Sequence, residues 1–147
     1  MKKFILFTAL SISLFASDMI VKNSICGVDE TIDSIKSIAT SKGMHVFAVI
    51  DHRDNAKKIG MNLNRSKMII FGNPKLGTAL MQQDITAGLD LPIRILVFKN
   101  SDGAVKMAYR DGTWLASKHA IDDPRMVQKM NDALEDITNK AGQCKND

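Results

Sequence analysis

Two histidines are the side chains of this sequence best suited to metal or acid–base chemistry. His52 directly follows Asp51 at the end of an apolar run, so it lies where a strand passes into a helix. His119 follows Trp114 and Leu115 much later in the chain. An imidazole binds transition metals, ligates haem and transfers protons. Together, His52 and His119 would form a haem or copper site, and a local structural role for each is the alternative.

A second candidate is the segment from Gly72 to Thr78, which follows a short apolar run. Asn73 is placed to cap a helix, and Pro74 occupies its first position. Unpaired N–H groups at a helix start bind carboxylate or phosphate groups, and Lys75 lies beside them. The spacing of a P-loop is missing. A tight capped turn without a ligand is therefore the alternative to an anion site.

Three further polar residues lie around a predicted hairpin. Asp90 precedes Leu91-Pro92, at the entrance of a strand, where it either contacts a ligand or only caps the loop. Arg94 and Tyr109 fall on the two strands of the hairpin. We expect them to meet a ligand on the open face of the sheet.

Evidence for catalysis in the sequence is weak. A hydrolase requires a nucleophile and a base, and Ser66, Thr78 or Thr86 would have to act with His52. None of these residues lies in the G-x-S-x-G turn that presents a catalytic serine. The sequence favours a protein without catalysis over a small hydrolase or isomerase.

The first 17 residues are typical of a Sec-type secretory leader. Lys2 and Lys3 precede an apolar run from Phe4 to Phe15, and the small residues Ala16 and Ser17 follow it. The run is shorter than the ~20 residues that a membrane span requires. We expect cleavage to leave a single periplasmic domain, residues 18–147, without a membrane span, and an uncleaved anchor is the alternative.

Charge and cysteine content narrow the choice of partners. The net charge of +4 includes Lys2 and Lys3 of the leader, so the remaining chain is only weakly basic and predicts no nucleic-acid partner. Cys26 and Cys144 are the two cysteines. In an oxidising compartment such a pair forms a disulfide where geometry permits. Two free thiols near the chain ends are the alternative.

Apolar periodicity predicts five strands and five helices. The predicted strands are 18–22, 44–50, 67–71, 93–98 and 104–109, and the second is expected to be well buried because both of its faces are apolar. The first helix is expected to begin at the cap Asp29, the second to span 53–59, and the third to follow Asn73. A loop is expected at 84–91 and a short helix around Trp114. A long helix spans about 124–141.

This order of elements predicts an α+β fold with two layers. The long helix carries one apolar stripe, formed by Val127, Met130, Leu134, Ile137 and Ala141. We expect a mostly antiparallel sheet of about five strands, with the N-terminal helix and the long C-terminal helix on one face. The opposite face would be open, as a surface for a ligand or for a second copy.

Several short motifs share their order and spacing with a known family. They are Val49-Ile50-Asp51-His52 with Asn55-Ala56 and Gly60, Phe71-Gly72-Asn73-Pro74 with Gly77-Thr78 and Leu80-Met81, Leu89-Asp90-Leu91-Pro92, Asp102-Gly103, Tyr109, and Leu115-Ala116 with His119. In these motifs, roughly from Ser24 to Ile121, the chain resembles the bacterial Domain of Unknown Function 302 family. The resemblance implies an exported α+β domain, and it supplies no activity, cofactor or catalytic residue.

The sequence therefore predicts an exported, soluble, non-catalytic binding or sensing module, forming a homodimer, with an unknown small-molecule or protein ligand. The alternatives are a periplasmic haem- or copper-binding redox accessory protein that uses His52 and His119, and a small hydrolase or isomerase. The candidate ligand-binding residues are His52, Gly72, Asn73, Lys75, Thr78, Asp90, Arg94 and Tyr109.

Overall fold

Residues 18–144 are described by a computed structural model, and the expected leader, residues 1–17, lies outside them. The elements are β1 (Ile20–Ser24), α1 (Val28–Ser41), β2 (His45–Asp51), α2 (His52–Lys58), β3 (Ser66–Gly72), α3 (Pro74–Gln83), a 3-10 helix (Ile85–Leu89), β4 (Ile93–Lys99), β5 (Val105–Tyr109), α4 (Gly112–Lys118) and α5 (Pro124–Ala141). Within this described part, no helix is long and apolar enough to cross a bilayer.

The five strands form one antiparallel sheet in the order β1-β5-β4-β3-β2. The core lies on one face of this sheet, where α1 contacts β3, β4 and α5. Ile35 of α1, Ile69 of β3, Ile95 of β4 and Ile137 of α5 have no exposed surface. Burial of these apolar side chains is the main force that holds the helices on the sheet. The predicted α+β fold and the long C-terminal helix are confirmed.

The other face of the sheet is apolar as well. Residues that pair directly across antiparallel strands point to the same side, and one such row crosses all five strands. The row consists of Ile50, Met68, Leu96, Ala108 and Val21, and we call the sheet surface around it the open face. Met68 and Leu96 are partly exposed, and Val21 is 47% exposed. A solvated face normally carries polar side chains, so this surface is suited to binding.

The second strand was expected to be well buried, and this prediction is wrong. β2 lies at the edge of the sheet, where Phe47 is 55% and Val49 is 43% exposed. The register also shifts between Val46 and Ala48, as in a β-bulge. Both faces of β2 are apolar although the strand is not central. The prediction failed because strand order depends on long-range pairing, which the local sequence pattern does not encode.

Several predicted boundaries move by one or two residues. The first strand begins at Ile20, and Gly27 rather than Asp29 caps α1. The Gly27 N–H donates to the Glu30 carboxylate at 2.8 Å, which is the reciprocal half of a capping box. The second helix begins at His52, and the loop expected at 84–91 contains the 3-10 helix.

Cys26 and Cys144 form a disulfide, with their Cα atoms 5.4 Å apart. The neighbouring Ile25 N–H donates to the carbonyl oxygen of Gly142 at 3.0 Å. These contacts tie the segment between β1 and α1 to the end of α5, across a sequence separation of 118 residues. The two cysteines are therefore bridged rather than present as free thiols.

Candidate ligand-binding site

A cavity of about 350 Å3 lies at the end of the open face where β4 begins and β5 ends, and we call it the arginine cleft. Its floor includes Met68, Leu96 and Ala108 of the open face, and α4 and the 3-10 helix supply its walls. The lining residues are Met19, Met68, Leu89, Asp90, Ile93, Arg94, Leu96, Ala108, Tyr109, Arg110, Asp111, Trp114, Leu115 and Met130. Three of the predicted site residues, Asp90, Arg94 and Tyr109, therefore line one cavity.

Two arginines lie at this cleft on neighbouring strands. Ile95 pairs with Tyr109, so one further step of the same antiparallel register places Arg94 opposite Arg110. Arg94 reaches the Asp90 carboxylate only at 3.3 Å. The Arg110 guanidinium lies 4.2 Å from the centroid of the Trp114 ring, and it forms no ion pair with any residue in 18–144. Like charges at opposed positions repel, so an anion in the cleft would relieve this repulsion.

His119 holds the wall of the cleft in place. Its side chain is only 7% exposed, and its Nε2 atom lies 2.9 Å from Oδ2 of Asp90. Its Nδ1 atom lies 3.0 Å from the Thr86 hydroxyl. The histidine thus connects the end of α4 to both ends of the 3-10 helix.

Asp84 accepts several hydrogen bonds beside these contacts. The Thr86 hydroxyl donates to Asp84 at 2.6 Å, and the N–H groups of Thr86 and Ala120 donate to the same carboxylate. These bonds, led by the Thr86 hydroxyl, lower the pKa of Asp84 to about 2. The same hydroxyl oxygen lies 3.0 Å from Nδ1 of His119, and which of the two atoms donates there depends on the tautomer of the imidazole.

Thr86, His119 and Asp90 resemble a catalytic triad in residue type, but their hydrogen bonds run the wrong way. A nucleophilic hydroxyl must give its proton to the histidine, whereas Thr86 gives it to Asp84. The arrangement is a structural clamp that holds the end of α4 against the 3-10 helix.

Tyr109 does not share the open face with Arg94, contrary to expectation. Arg94 and Tyr109 lie at positions of opposite parity in the hairpin register, so their side chains point to opposite sides of the sheet. Tyr109 is only 5% exposed, and its hydroxyl lies 3.4 Å from the Thr138 hydroxyl of α5. Its role is in the core, and it borders the cleft from beneath.

Close contact with α5 fixes the position of α4. Asp111 caps α4 by accepting from the Trp114 N–H at 2.8 Å. The Gly112 N–H donates to Asn131 at 2.7 Å, and a Cβ atom at Gly112 would lie 2.8 Å from the carbonyl oxygen of Val127. This approach requires glycine, and it places Trp114 at the cleft. The Trp114 indole N–H is buried and has no acceptor among residues 18–144.

The corner at Gly72 forms a separate cavity of about 220 Å3. Asn73 accepts from the Leu76 N–H at 3.2 Å, so its side chain serves as the helix cap. Thr78 lines this cavity together with mostly apolar residues, while Lys75 lies in a different surface depression. The corner caps α3 and borders a mostly apolar cavity that Gly72, Asn73 and Thr78 line together, and only Lys75 lies outside it.

His52 lies at the opposite end of the sheet from His119. Its neighbour Asp51 pairs with Lys67 near the start of β3, whereas the cleft lies near the start of β4, which pairs with the end of β3. Four strand residues separate these levels, which corresponds to ~13 Å. Two histidines on one metal have their nitrogens ~4 Å apart. Within residues 18–144, moreover, no three potential ligands from histidine, cysteine, aspartate and glutamate cluster.

The environment of Asp51 explains the position of His52. Burial acts to raise the pKa of Asp51, but hydrogen bonds from the Asp54 N–H and from Lys67 outweigh it, and the pKa is lowered. Asp51 caps α2 through the Asp54 N–H at 2.9 Å. His52 thus occupies the first turn of a capped helix.

Arg110, Trp114, Asp84 and Thr86 are the site residues that sequence reasoning missed or misassigned. The register of the hairpin could have indicated that Arg110 lies opposite Arg94, because the turn at Asn100–Gly103 determines which residues pair. Asp84 and Thr86 carried an Asx-turn pattern two residues apart. Nothing in that pattern indicated His119 as their partner.

Comparison with known proteins identifies the fold and the family. Residues 20–141 match the family described as "Domain of unknown function DUF302". A crystal structure of an uncharacterized conserved DUF302 protein from Bacillus stearothermophilus has a TM-score of 0.73 to this structure at 17% identity, and the match covers 86% of this chain and 99% of the other. At this identity, the solved structure supports the fold alone.

Other relatives are longer proteins. "Fluoride-specific ion channel FluC 1" of Brucella suis biovar 1 (strain 1330) is 42% identical over 109 residues, which is 74% of this chain and 43% of the relative. The protein of the same name from Brucella abortus biovar 1 (strain 9-941) is also 42% identical, with 40% of its length covered. The chain therefore spans less than half of these relatives.

Proposed function

This chain belongs to the DUF302 family, and we propose that it is an exported, non-catalytic binding module that holds its ligand in the arginine cleft. The observation that carries this proposal is the placement of Arg94 and Arg110 beside an apolar cavity of about 350 Å3 on the open face. Ligand sites are typically concave and apolar, with a few polar groups that orient the ligand.

The absence of catalysis is proposed from the direction of the hydrogen bonds in the clamp. The Thr86 hydroxyl donates to Asp84, and the His119 imidazole is held between Thr86 and Asp90. Both side chains are thus engaged in contacts within the clamp. A binding role requires only the shape and charge of the cleft.

Export is supported by two independent features. Residues 1–17 carry the pattern of a secretory leader, and Cys26 and Cys144 are bridged. Structural disulfides persist in oxidising compartments such as the periplasm. A fusion of residues 1–17 to a reporter that is active only in the periplasm tests this step, and a reporter that stays inactive contradicts it.

Native mass spectrometry on protein purified without chelators or ligand-stripping steps tests the binding role. We expect a stoichiometric added mass that is lost when Arg94 and Arg110 are both changed to Gln. The Arg125→Gln variant is the control, because that side chain is 90% exposed and lies on α5. A bound mass that survives the double change would place the ligand elsewhere and overturn the assignment of the cleft.

We also propose that two copies associate through the open face. Five strands of five to seven residues cover roughly 500 Å2 of flat area, which is of the same order as the ~800 Å2 per partner in a standard interface. In such a dimer the two open faces enclose the ligands. Analytical ultracentrifugation tests this step: Phe98→Glu, on the open face, should give a monomer, and Leu63→Glu, on an exposed loop, should not.

The relatives named as fluoride-specific ion channels favour a second candidate, an accessory module of a channel. Residues 18–144 of this chain contain no membrane-spanning helix. The channel of these relatives would therefore lie in the part of their sequence that this chain does not match. We propose that this chain serves beside such a channel as a separate protein. Deletion of its gene should lower fluoride tolerance, and unchanged tolerance would remove this candidate.

A further inference from the structure

We propose that the ligand of the arginine cleft is an amphipathic organic anion, a molecule with one carboxylate head group and an apolar chain or ring. The proposal rests on the binding role proposed above and names the class of molecule that the cleft selects. Three properties of the cleft lead to it: two arginines at opposed strand positions, an Arg110 that forms no ion pair within residues 18–144, and an apolar floor.

The guanidinium groups have unused hydrogen-bond donors. Arginine carries five N–H donors in a planar fork that matches a carboxylate. Arg110 forms no ion pair within residues 18–144 and lies over Trp114. Arg94 donates only at 3.3 and 3.4 Å, to Asp90 and to the carbonyl oxygen of Leu89. Both can turn towards a carboxylate placed between them.

Two carboxylates lie in the cleft, and each has a partner other than Arg110. Asp90 and Asp111 are the two acidic residues in the lining. Asp90 accepts from His119 at 2.9 Å, and Asp111 accepts from the Trp114 N–H at 2.8 Å as the cap of α4. Neither carboxylate forms an ion pair with Arg110 within residues 18–144, and a ligand carboxylate would supply one.

The floor and size of the cleft select an apolar body for the ligand. Met68, Leu96 and Ala108 lie on the open face beneath the arginines and offer no polar side-chain atom other than the weak thioether sulfur. At about 350 Å3 the cavity is near the small end of known ligand sites, so it suits a single short chain or ring. A bare inorganic anion would leave this apolar surface unused.

Four probes separate the contributions of head and chain. Octanoate carries both, 1-octanol carries the chain alone, and acetate and fluoride carry only the charge. Trp114 is the only tryptophan of the chain, so its fluorescence reports on the cleft, and calorimetry supplies an independent affinity. We expect octanoate to bind at least tenfold more tightly than each of the other probes.

Two variants and their controls locate the binding. Arg94→Gln with Arg110→Gln should weaken octanoate at least tenfold and leave 1-octanol unchanged, while Arg125→Gln should change neither. Leu96→Asn should weaken octanoate and 1-octanol alike, while Leu63→Asn, in an exposed loop, should not. Circular dichroism and melting temperature identify any variant that fails to fold. If the double Gln variant does so, Lys substitutions at both arginines keep the positive charge while removing the planar guanidinium fork.

Each other outcome overturns the proposal in a distinct way. Equal affinity for octanoate and 1-octanol would mean an apolar groove without an anion site. Equal affinity for octanoate and for acetate or fluoride would mean a charge site without selection of an apolar body. No binding of any probe, with a co-purified mass lost in the double arginine variant, would overturn the ligand class and leave the binding role standing. If no probe binds and no co-purified mass is found, the binding role is overturned as well.

Discussion

The Nε2 atom of His119 lies 2.9 Å from Oδ2 of Asp90, and this contact joins the end of α4 to the wall of the arginine cleft. The same imidazole reaches Thr86 through its other nitrogen. A side chain that is 7% exposed therefore holds two segments that are far apart in sequence. The contacts of His119 to Asp90 and Thr86 thus hold the wall of the cleft in place.

Replacement of His119 by Ala should destabilise the fold by about 1.5–3 kcal/mol, because charged hydrogen-bond partners are left unpaired. Urea unfolding measures this change. In a double-mutant cycle, Asp90→Asn should lose less stability in the His119→Ala background than alone. His45→Ala, at an exposed position on β2, should shift stability by under ~0.5 kcal/mol. Strictly additive effects of the two changes would show that the pair does not interact.

The pKa of Asp84, about 2 in the folded protein, predicts a distinct acid dependence. The usual value for the unfolded chain is 3.8, so the ionised carboxylate favours the folded state. Its contribution is complete above this value and is lost as the pH falls through about 2. Melting temperature measured against pH should fall less steeply across this window for Asp84→Asn than for the unmodified protein.

Asp33→Asn is the matched control for that experiment. Asp33 is an exposed aspartate on α1 without a hydrogen bond or ion pair to any residue in 18–144. Its acid dependence should match that of the unmodified protein. If Asp84→Asn and Asp33→Asn gave the same curve, the hydrogen bonds of Thr86 and Ala120 to Asp84 would not contribute to acid stability.

The disulfide closes a very long loop and should stabilise the protein accordingly. With a sequence separation of 118 residues, the chain-entropy model predicts a contribution of up to ~5 kcal/mol. Replacing Cys26 and Cys144 by Ser should lower the urea midpoint clearly, and reductant should lower it for the unmodified protein only. An unchanged midpoint in both experiments would mean that the bridge contributes no stability.

Two glycines should respond oppositely to substitution by alanine. A Cβ at Gly112 would meet the Val127 carbonyl oxygen at 2.8 Å, so Gly112→Ala should cost about 1–3 kcal/mol and loosen α4. Nothing lies within 4 Å of a Cβ at Gly77, inside α3, so Gly77→Ala should stabilise by about 0.5–1 kcal/mol. Thermal unfolding of both variants measures the contrast. A loss of similar size at both positions would contradict the packing of α4 on α5.

The sequence predicted those parts of the fold that depend on local patterns. The helix caps Asp51, Asn73 and Asp123 lie where predicted, because a cap bonds to N–H groups within three residues of itself. The apolar stripe of α5 likewise indicated its buried face. The position of β2 at the sheet edge could not be predicted in this way, because an apolar strand fits an edge as well as a centre until its partners are known.

The candidate site was predicted only in part for the same reason. Asp90, Arg94 and His119 were noticed as separate residues, and the structure brings them to one end of the sheet. Their convergence depends on the docking of α4 on α5 and on the path of the 3-10 helix. The pairing register places His52 and His119 near opposite ends of the sheet, which the separate sequence signals did not indicate. The strong local signal at the Gly72 corner is explained by the helix cap.

Nuclear magnetic resonance during an octanoate titration tests the central claim most directly. Trp114 gives the single indole N–H signal of the chain, so one resonance reports on the wall of the cleft. We predict that this indole signal and the amide signals of Leu96 and Arg110 shift together with a common affinity, while those of Asn73 and Thr78 stay in place. Shifts confined to the Gly72 corner, or none at millimolar octanoate, would contradict the assignment of the arginine cleft as the ligand site.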